Sequence, residues 1–197
     1  MGHALELKTR YSLADYLQHE EQSPFRSEYF RGELFAMAGT SDVHNEIAGN
    51  LYALLKGRVA GSGCKAFIEN LKLELQANEH YVYPDVMLTC DARDRADRYV
   101  KRHPRILAEV LSSGTEAHDR FFKLPRYLQL PSLEAMLLVG QAGIQVELYL
   151  RKGEEWVFSV FTSPEEEVVI GEIRFLVKEL YEGIQWEAPS EGISEPE

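Results

Sequence analysis

The feature that most constrains the fold of this chain is an almost unbroken apolar run, RILAEVLSS, at residues 105–113. Consecutive apolar residues, without the alternation of a half-exposed strand, predict a strand that is covered on both faces. Covering both faces requires a packed layer on each side of a sheet, which is the arrangement found in α/β domains. One residue departs from the pattern, because the carboxylate of Glu109 stands in the middle of the run.

The rest of the sequence supplies elements for these layers. The spacing of apolar residues predicts helices at 11–21, 41–59 and 112–130, the last of which Pro125 should kink. Alternating patterns and turn residues predict a hairpin at 27–39 and strands at 64–76, 81–91, 134–141, 144–156 and 157–163. We therefore expect one α/β domain over residues 1–186, with a mixed sheet flanked by helices, and a disordered acidic tail at 187–197.

The composition is that of a folded, acidic domain. Hydrophobic residues make up 45% of the 197 residues and charged residues 27%, which excludes a wholly disordered chain. No apolar run reaches the ~20 residues that span a bilayer, and the amphipathic start predicts no signal peptide. Cys64 and Cys90 lack metal-type spacing, so we expect reduced core thiols in a cytoplasmic protein. The net charge of −11 argues against avid non-specific nucleic-acid binding but is compatible with a locally basic groove.

A carboxylate inside a buried strand needs a partner, because burying an unpaired charge is costly. Glu109 could be paired with an arginine, or it could reach water at a strand end. Asp85, however, follows Pro84 at the neighbouring predicted strand, and consecutive strands are usually adjacent in space. Two converging carboxylates repel each other unless a cation lies between them. Mg²⁺ suits such a site, because it prefers oxygen ligands and keeps open positions for water and phosphate.

The order of these motifs resembles a known group of nucleases. Pro84-Asp85, followed 24 residues later by Glu109 on the next strand, resembles the PD-(D/E)XK nuclease superfamily. The segments RSEYFRGELFAMAGTSDVHNEIAGNLYALL, YVYPDVMLTCD and AEVLSSGTEAHDRFFKLPRYLQLPSLEAMLLV are together similar to the bacterial Uma-type family of restriction endonucleases. The resemblance covers nearly the whole domain, from about residue 10 to about residue 180.

This resemblance implies a restriction-endonuclease-like core in which Asp85 and Glu109 are catalytic and bind Mg²⁺, or Mn²⁺ in its place. The superfamily usually carries a lysine two residues after the glutamate, on the same strand face. Here that residue is Leu111, which cannot orient water or balance charge. Lys123 in DRFFK matches the lysine that substitutes from the following helix, and Asp119 shares its helix face. The alternative is a solvent-facing Lys123 paired with Asp119.

The resemblance extends to further positions of the site and to a basic segment. Glu33 and His44 match family positions, although each could equally be a cap or a surface residue, as could Glu46. The segment 92–105 holds six Lys or Arg and two Asp residues between the two acid-bearing strands. Candidates for contacts with a nucleic-acid backbone are Arg98, Lys101, Arg102 and, beyond the segment, Arg120. The alternative is a solvated loop whose arginines pair with its own aspartates.

Two functions of different classes follow. The first is a Mg²⁺-dependent endonuclease that hydrolyses DNA, acts as a homodimer and does not associate with membranes. The second is a catalytically inactive protein that keeps the nuclease fold as a binding or structural module; Leu111, Pro125 and the net charge of −11 favour it. An acidic protein–protein adaptor has only the charge and the tail in its favour.

Overall fold

The computed structural model describes residues 10–37 and 39–186. The predicted tail at 187–197, and residues 1–9 of the predicted domain, therefore lie outside the described residues. The strands are β1 (Ser27–Phe30), β2 (Glu33–Ala36), β3 (Lys65–Ile68), β4 (Lys72–Gln76), β5 (His80–Val82), β6 (Val86–Thr89), β7 (Val100–Lys101), β8 (Pro104–Leu111), β9 (Ala135–Gly140), β10 (Val146–Lys152), β11 (Glu155–Phe161), β12 (Glu167–Ile170) and β13 (Ile173–Leu176). The α-helices are α1 (Leu13–Gln22), α2 (Asp42–Arg58), α3 (Glu116–His118), α4 (Leu124–Tyr127) and α5 (Val177–Leu180).

A six-stranded mixed sheet forms the centre of the domain, in the order β11-β10-β9-β8-β6-β3. Its β8 and β9 are parallel, and its other neighbouring strands are antiparallel. The apolar run forms β8, and both of its faces are covered as the sequence predicts. Ile106, Ala108 and Val110 pack in the same core as α2. Leu107 and Leu111 face the opposite core, which includes α4.

Five strands form a second sheet, in the order β2-β1-β5-β4-β7. Two of the predicted strands are divided between this sheet and the central one. The strand predicted at 64–76 is split between β3 and β4, with Glu69 and Asn70 at positive φ of 43° and 50°. The strand predicted at 81–91 is split between β5 and β6 around Pro84. Each half belongs to a different sheet, so Asp85 lies where the chain passes from one sheet to the other.

Two of the three predicted helices, at 11–21 and 41–59, are present as α1 and α2, whereas the helix predicted after β8 is not continuous. Ser12 accepts a hydrogen bond from the Asp15 N–H at 3.1 Å and caps α1. The helix predicted at 112–130 is a composite of α3, a π-helical turn at Asp119–Lys123 and α4. Its irregularity therefore precedes Pro125, which lies in the first turn of α4. None of the helices in the described part is long and apolar enough to cross a bilayer.

The two cysteines are joined, which contradicts the expectation of separate reduced thiols. Lys65 pairs with Thr89 in the antiparallel register of β3 and β6, so the next positions outward are Cys64 and Cys90. These two form a disulfide with a Cα–Cα distance of 4.0 Å. The sequence alone could not indicate it, because the pairing of β3 with β6 depends on the splitting of both predicted strands.

Candidate active site

The two acids predicted as a pair lie side by side. β6 and β8 pair with Val86 opposite Ala108, and one more step of this register sets Asp85 beside Glu109. The Asp85 N–H donates to Glu109 Oε2 at 3.2 Å. The Val110 N–H donates to Asp85 Oδ2 at 2.7 Å. The β-sheet itself therefore positions both carboxylates.

Glu109 is a buried acid with two side-chain donors. It is 1% exposed, and its Oε1 accepts from the Tyr127 hydroxyl at 2.6 Å and from Lys123 Nζ at 3.3 Å. Lys123 and Tyr127 are one helical turn apart, so both face β8. Burial raises the pKa of Glu109 well above its ordinary value; Lys123 opposes the shift, and the negative charge of Asp85 adds to it.

Lys123 lies among three carboxylates. Its Nζ is 3.0 Å from Glu28 Oε1, 3.0 Å from Asp119 Oδ1 and 3.3 Å from Glu109 Oε1. Burial lowers the pKa of Lys123, but the three acids outweigh burial and hold it well above its ordinary value. The predicted Lys123–Asp119 pair is therefore present, but Lys123 is 7% exposed and does not face solvent.

Glu28 is a member of this cluster that the sequence analysis missed. It lies on β1, is 4% exposed, and accepts from the Tyr83 N–H at 3.3 Å. Its Oε2 is 3.1 Å from His118 Nε2, and Oε1 faces Lys123. Burial raises the pKa of Glu28, but the hydrogen bond with His118 and the ammonium of Lys123 outweigh burial and lower it. A usable signal existed, since SEYF places a carboxylate in a buried strand just as RILAEVLSS does.

His44 completes the site from the first turn of α2. Ser41 caps this helix by accepting from the His44 N–H at 3.1 Å. The His44 Nε2 is 3.2 Å from Asp85 Oδ2. Burial lowers the pKa of His44, but its hydrogen bond to Asp85 and the negative charges of Asp85, Glu69 and Asp119 together outweigh burial and raise it. Among the described residues, nothing bonds the buried Nδ1.

Glu33, which was predicted as a further site residue, lies elsewhere. It is exposed at the start of β2, directly after the hairpin turn at Arg31 and Gly32. No hydrogen bond or ion pair joins Glu33 to the acid cluster in the residues described. Glu28, on the partner strand of the same hairpin, takes the place that was expected for Glu33.

Two basic residues of the segment 92–105, Lys101 and Arg102, are engaged by groups of the protein itself. Lys101 is 5% exposed, and its ammonium donates to the main-chain carbonyls of Asp94, at 2.8 Å, and of Asp97. Arg102 is ion-paired with Glu74 and, at 3.2 Å, with Asp97. Lys101 was expected to contact nucleic acid but is buried, where it holds the loop in place. The charge of Arg102 is largely neutralised by its two carboxylate partners.

Arg120 and Arg98 differ in whether carboxylates of the protein neutralise their charge. Arg120 makes two 2.7 Å bonds to Glu147 and a further 2.7 Å bond to Glu116. Arg98 is exposed and lines a small groove beside the loop that precedes β7. Of the four predicted contacts with nucleic acid, Arg98 presents the most accessible charge.

The donor chemistry at Asp85 and Glu109 fits Mg²⁺ or Mn²⁺. Both acids supply hard oxygen ligands, and the Asp85 side chain is 15% exposed and thus reachable from solvent. Besides burial, the charge of Asp85 raises the pKa of Glu109, a repulsion that a divalent cation would relieve. No group of three or more His, Cys, Asp or Glu side chains in the described ranges is arranged to hold a metal. The residues therefore fit a cation that completes its shell with water or phosphate oxygens.

Comparison with known proteins places the chain among nuclease-type sequences. The family model Uma2, described as "putative restriction endonuclease", matches residues 13–175. The uncharacterized protein slr1290 of Synechocystis sp. is 34% identical over 173 residues, which is 86% of this chain and 90% of that protein. A second uncharacterized Synechocystis protein, sll1609, is 32% identical over 158 residues, or 79% of this chain and 89% of its own length.

A solved structure supports the fold. It is described as a putative nuclease belonging to DUF820 from Anabaena variabilis, and it matches with a TM-score of 0.71 at 17% identity. The match covers 87% of this chain and 98% of that chain. The expected restriction-endonuclease-like α/β fold, a mixed sheet flanked by helices, is thereby confirmed, as is the resemblance drawn from the sequence.

Proposed function

This chain belongs to the Uma2 family of restriction-endonuclease-type proteins, and from that premise we propose that it is a Mg²⁺-dependent nuclease hydrolysing phosphodiester bonds of DNA. The observation that carries the proposal is the convergence of Asp85 and Glu109, through the register of β6 and β8, beside a buried lysine. The description of the family as restriction endonucleases, and that of the Anabaena structure as a nuclease, support this proposal.

In this proposal each residue of the site has a separate task. Asp85 and Glu109 would hold Mg²⁺ or Mn²⁺, which when bound lowers the pKa of water and stabilises negative charge on the phosphate. Tyr127 fixes the orientation of Glu109, and His44 that of Asp85. Lys123 balances the charge of the acids, because its ammonium lies within 3.3 Å of three carboxylates.

A homodimer is part of the proposal, because two such sites in one assembly cut both strands of a duplex in a single encounter. Its physical support is β11, the edge strand of the central sheet, which carries exposed Val157, Phe158 and Val160. Exposed apolar edge strands are a template for pairing with another chain.

The test is cleavage of supercoiled plasmid and of single-stranded DNA by purified protein with Mg²⁺ or Mn²⁺. We expect nicking that ends with EDTA and falls at least 100-fold in Asp85→Asn. Glu154→Gln, an exposed acid at the turn between β10 and β11, is the matched control and should cut as the wild type does. Equal cleavage by Asp85→Asn and wild type would refute the assignment.

The second candidate, a nuclease-fold protein without catalysis, rests on two observations. Leu111 is buried in the apolar core where the superfamily lysine would stand. Lys123 is enclosed by acids rather than directed to open space. Binding of Mn²⁺ and DNA by the wild type, with no cleavage of any substrate, would favour this candidate.

A further inference from the structure

We propose that Lys123 is a built-in second cation of the site. Its ammonium occupies a carboxylate cage, formed by Glu28, Glu109 and Asp119, whose oxygens are spaced for an ammonium and would have to move inward to hold a metal ion in its place. The wild-type chain therefore takes one divalent cation, at Asp85 and Glu109. The assignment of that ion rests on the proposed function, whereas the contents of the cage do not.

The geometry is that of an enclosed cation. The three acids come from three separate elements, namely β1, β8 and the π-helical turn, and they converge on one nitrogen at 3.0, 3.3 and 3.0 Å. The carboxylates and the lysine are all at least nine-tenths buried. Asp119 Oδ1 is buried and accepts no hydrogen bond within the described residues, although it lies 3.0 Å from the ammonium. One oxygen of the cage therefore interacts with its cation by charge alone, as it would with a metal.

The charge balance explains why the ammonium is required. Three buried carboxylates around one lysine leave the cage with an excess of negative charge even when Lys123 is present. Removing one partner of a buried ion pair leaves an uncompensated charge, which is strongly destabilising. Without Lys123 the acids must either take up protons or bind another cation. Because Mg²⁺ binds oxygen at 2.0–2.1 Å, the cage oxygens would have to move inward by about 1 Å.

A comparison within the chain distinguishes this lysine from an ordinary buried one. Lys101 is equally buried, but its ammonium is held by the neutral main-chain carbonyls of Asp94 and Asp97. Removing Lys101 would leave no cluster of buried acids behind. Of these two lysines, only Lys123 therefore combines the volume of its head group with three anionic oxygens.

The experiment counts Mn²⁺ ions bound per chain at neutral pH, by equilibrium dialysis with elemental analysis and by the EPR signal of free Mn²⁺. Lys123→Met keeps the unbranched, flexible stem but is one atom shorter, so it removes the charge and leaves the volume of the ammonium free. We expect Lys123→Met to bind one more Mn²⁺ than the wild type. Adding Asp119→Asn to that variant should remove the extra ion. Lys101→Met is the matched control and should bind as many ions as the wild type.

Several results would overturn the proposal. An equal count in folded Lys123→Met and wild type would do so, as would a wild type that binds two ions. If Lys123→Met does not fold in metal-free buffer, its thermal unfolding is measured with and without Mn²⁺, in parallel with Lys123→Gln. If the cage holds the extra ion, Mn²⁺ should raise the unfolding temperature of these variants well beyond its effect on the wild type. If neither variant shows this extra stabilisation, the proposal is refuted. A wild type that binds no Mn²⁺ and cuts no DNA contradicts the proposed function alone, because the cage is tested by the difference between variants.

Discussion

A single hydroxyl fixes the buried acid at the centre of the site. Tyr127 donates to Glu109 Oε1 at 2.6 Å, and both residues are almost fully buried. In Tyr127→Phe the carboxylate loses this donor while it stays out of water, which costs about 1–3 kcal/mol. We expect the free energy of unfolding in urea to fall by that amount. Tyr99→Phe, at a tyrosine that is 80% exposed, should change it by less than about 0.5 kcal/mol.

His80 should make stability depend on pH. It is 2% exposed, and burial, reinforced by the charge of Arg126, lowers its pKa to about 4 from 6.5. Between these values the unfolded chain binds a proton that the folded chain does not, so the free energy of unfolding falls as the pH falls from 6.5 to 4. The contribution of this one group is at most about 3 kcal/mol.

The measurement for His80 is urea unfolding at several pH values across that window. His80→Gln should show a flatter dependence than the wild type, because its side chain does not titrate. His19→Gln, at an exposed helix position, is the control and should follow the wild type. A wild-type profile that is matched by His80→Gln would contradict the prediction.

At this scale the sequence pointed to most of the cluster. Asp85, Glu109, Lys123, Asp119 and His44 were predicted because each stands in a motif with a fixed order along the chain. Tyr127 was missed although Lys123 and Tyr127 have helical i, i+4 spacing, because a tyrosine in a helix is usually part of an apolar core. Glu28 contacts the site through a second sheet, and no local pattern reports which strand lies against which helix.

Among the elements, the π-helical turn decides which side chains meet. It adds one residue to an otherwise α-helical segment between α3 and α4. Deleting Phe121, which is 78% exposed, should restore a plain α-helix, in which Asp119 and Lys123 are three residues apart instead of four and are turned about 60° from each other. The Asp119–Lys123 ion pair would lose its present alignment, and we expect a loss of about 1–3 kcal/mol in unfolding free energy together with slower DNA cleavage.

The matched control for the deletion is Phe121→Ala, which keeps the residue count and therefore the π-helical turn. Its unfolding free energy should stay within about 0.5 kcal/mol of the wild type, because the ring is exposed. If the deletion and Phe121→Ala behaved alike, the turn would not be what positions the cluster.

The disulfide links the ends of β3 and β6, at the opposite end of β6 from Asp85. It closes a loop with a sequence separation of 26, for which chain entropy gives a stabilisation of about 3 kcal/mol. We expect dithiothreitol to lower the unfolding free energy by about this amount. The double variant Cys64→Ser, Cys90→Ser should match the reduced wild type and show no response to the reductant. A wild type whose stability does not change on reduction contradicts this prediction.

The same two strands show how far the fold could be predicted. The apolar run of β8 and the N-terminal hairpin carry local signals, and the structure confirms them. The division of 64–76 and 81–91 between two sheets carries a weaker signal: Glu69-Asn70 and Pro84-Asp85 interrupt the apolar patterns, but an interruption does not indicate that the two halves join different sheets. Positive φ at Glu69 and Asn70 is imposed by the change of sheet, not by a glycine that would have indicated a turn.

For the molecule as a whole, the acidic net charge opposes dimerisation, whereas the exposed apolar edge strand β11 favours it. Two chains of net charge −11 repel, whereas pairing of two β11 strands would bury Phe158 and Val160, which share one strand face and are 52% and 46% exposed. Salt screens the repulsion over about 10 Å at 0.1 M without weakening apolar contacts. A homodimer formed at this edge should therefore become tighter as NaCl is raised, in contrast to an assembly held by ion pairs.

Analytical ultracentrifugation from 0.05 to about 0.5 M NaCl tests this prediction, since added salt shortens the range of the repulsion. Val160→Lys places a charge on the apolar face and should make the chain monomeric at every salt concentration, with little effect on folding because the side chain is already half exposed. Ala53→Lys adds the same charge at an exposed position of α2 and should dimerise as the wild type does. Because either lysine lowers the net negative charge, loss of the dimer in Val160→Lys alone must arise from the edge strand itself. A dimer that weakens with salt, or that survives Val160→Lys, would place the interface elsewhere.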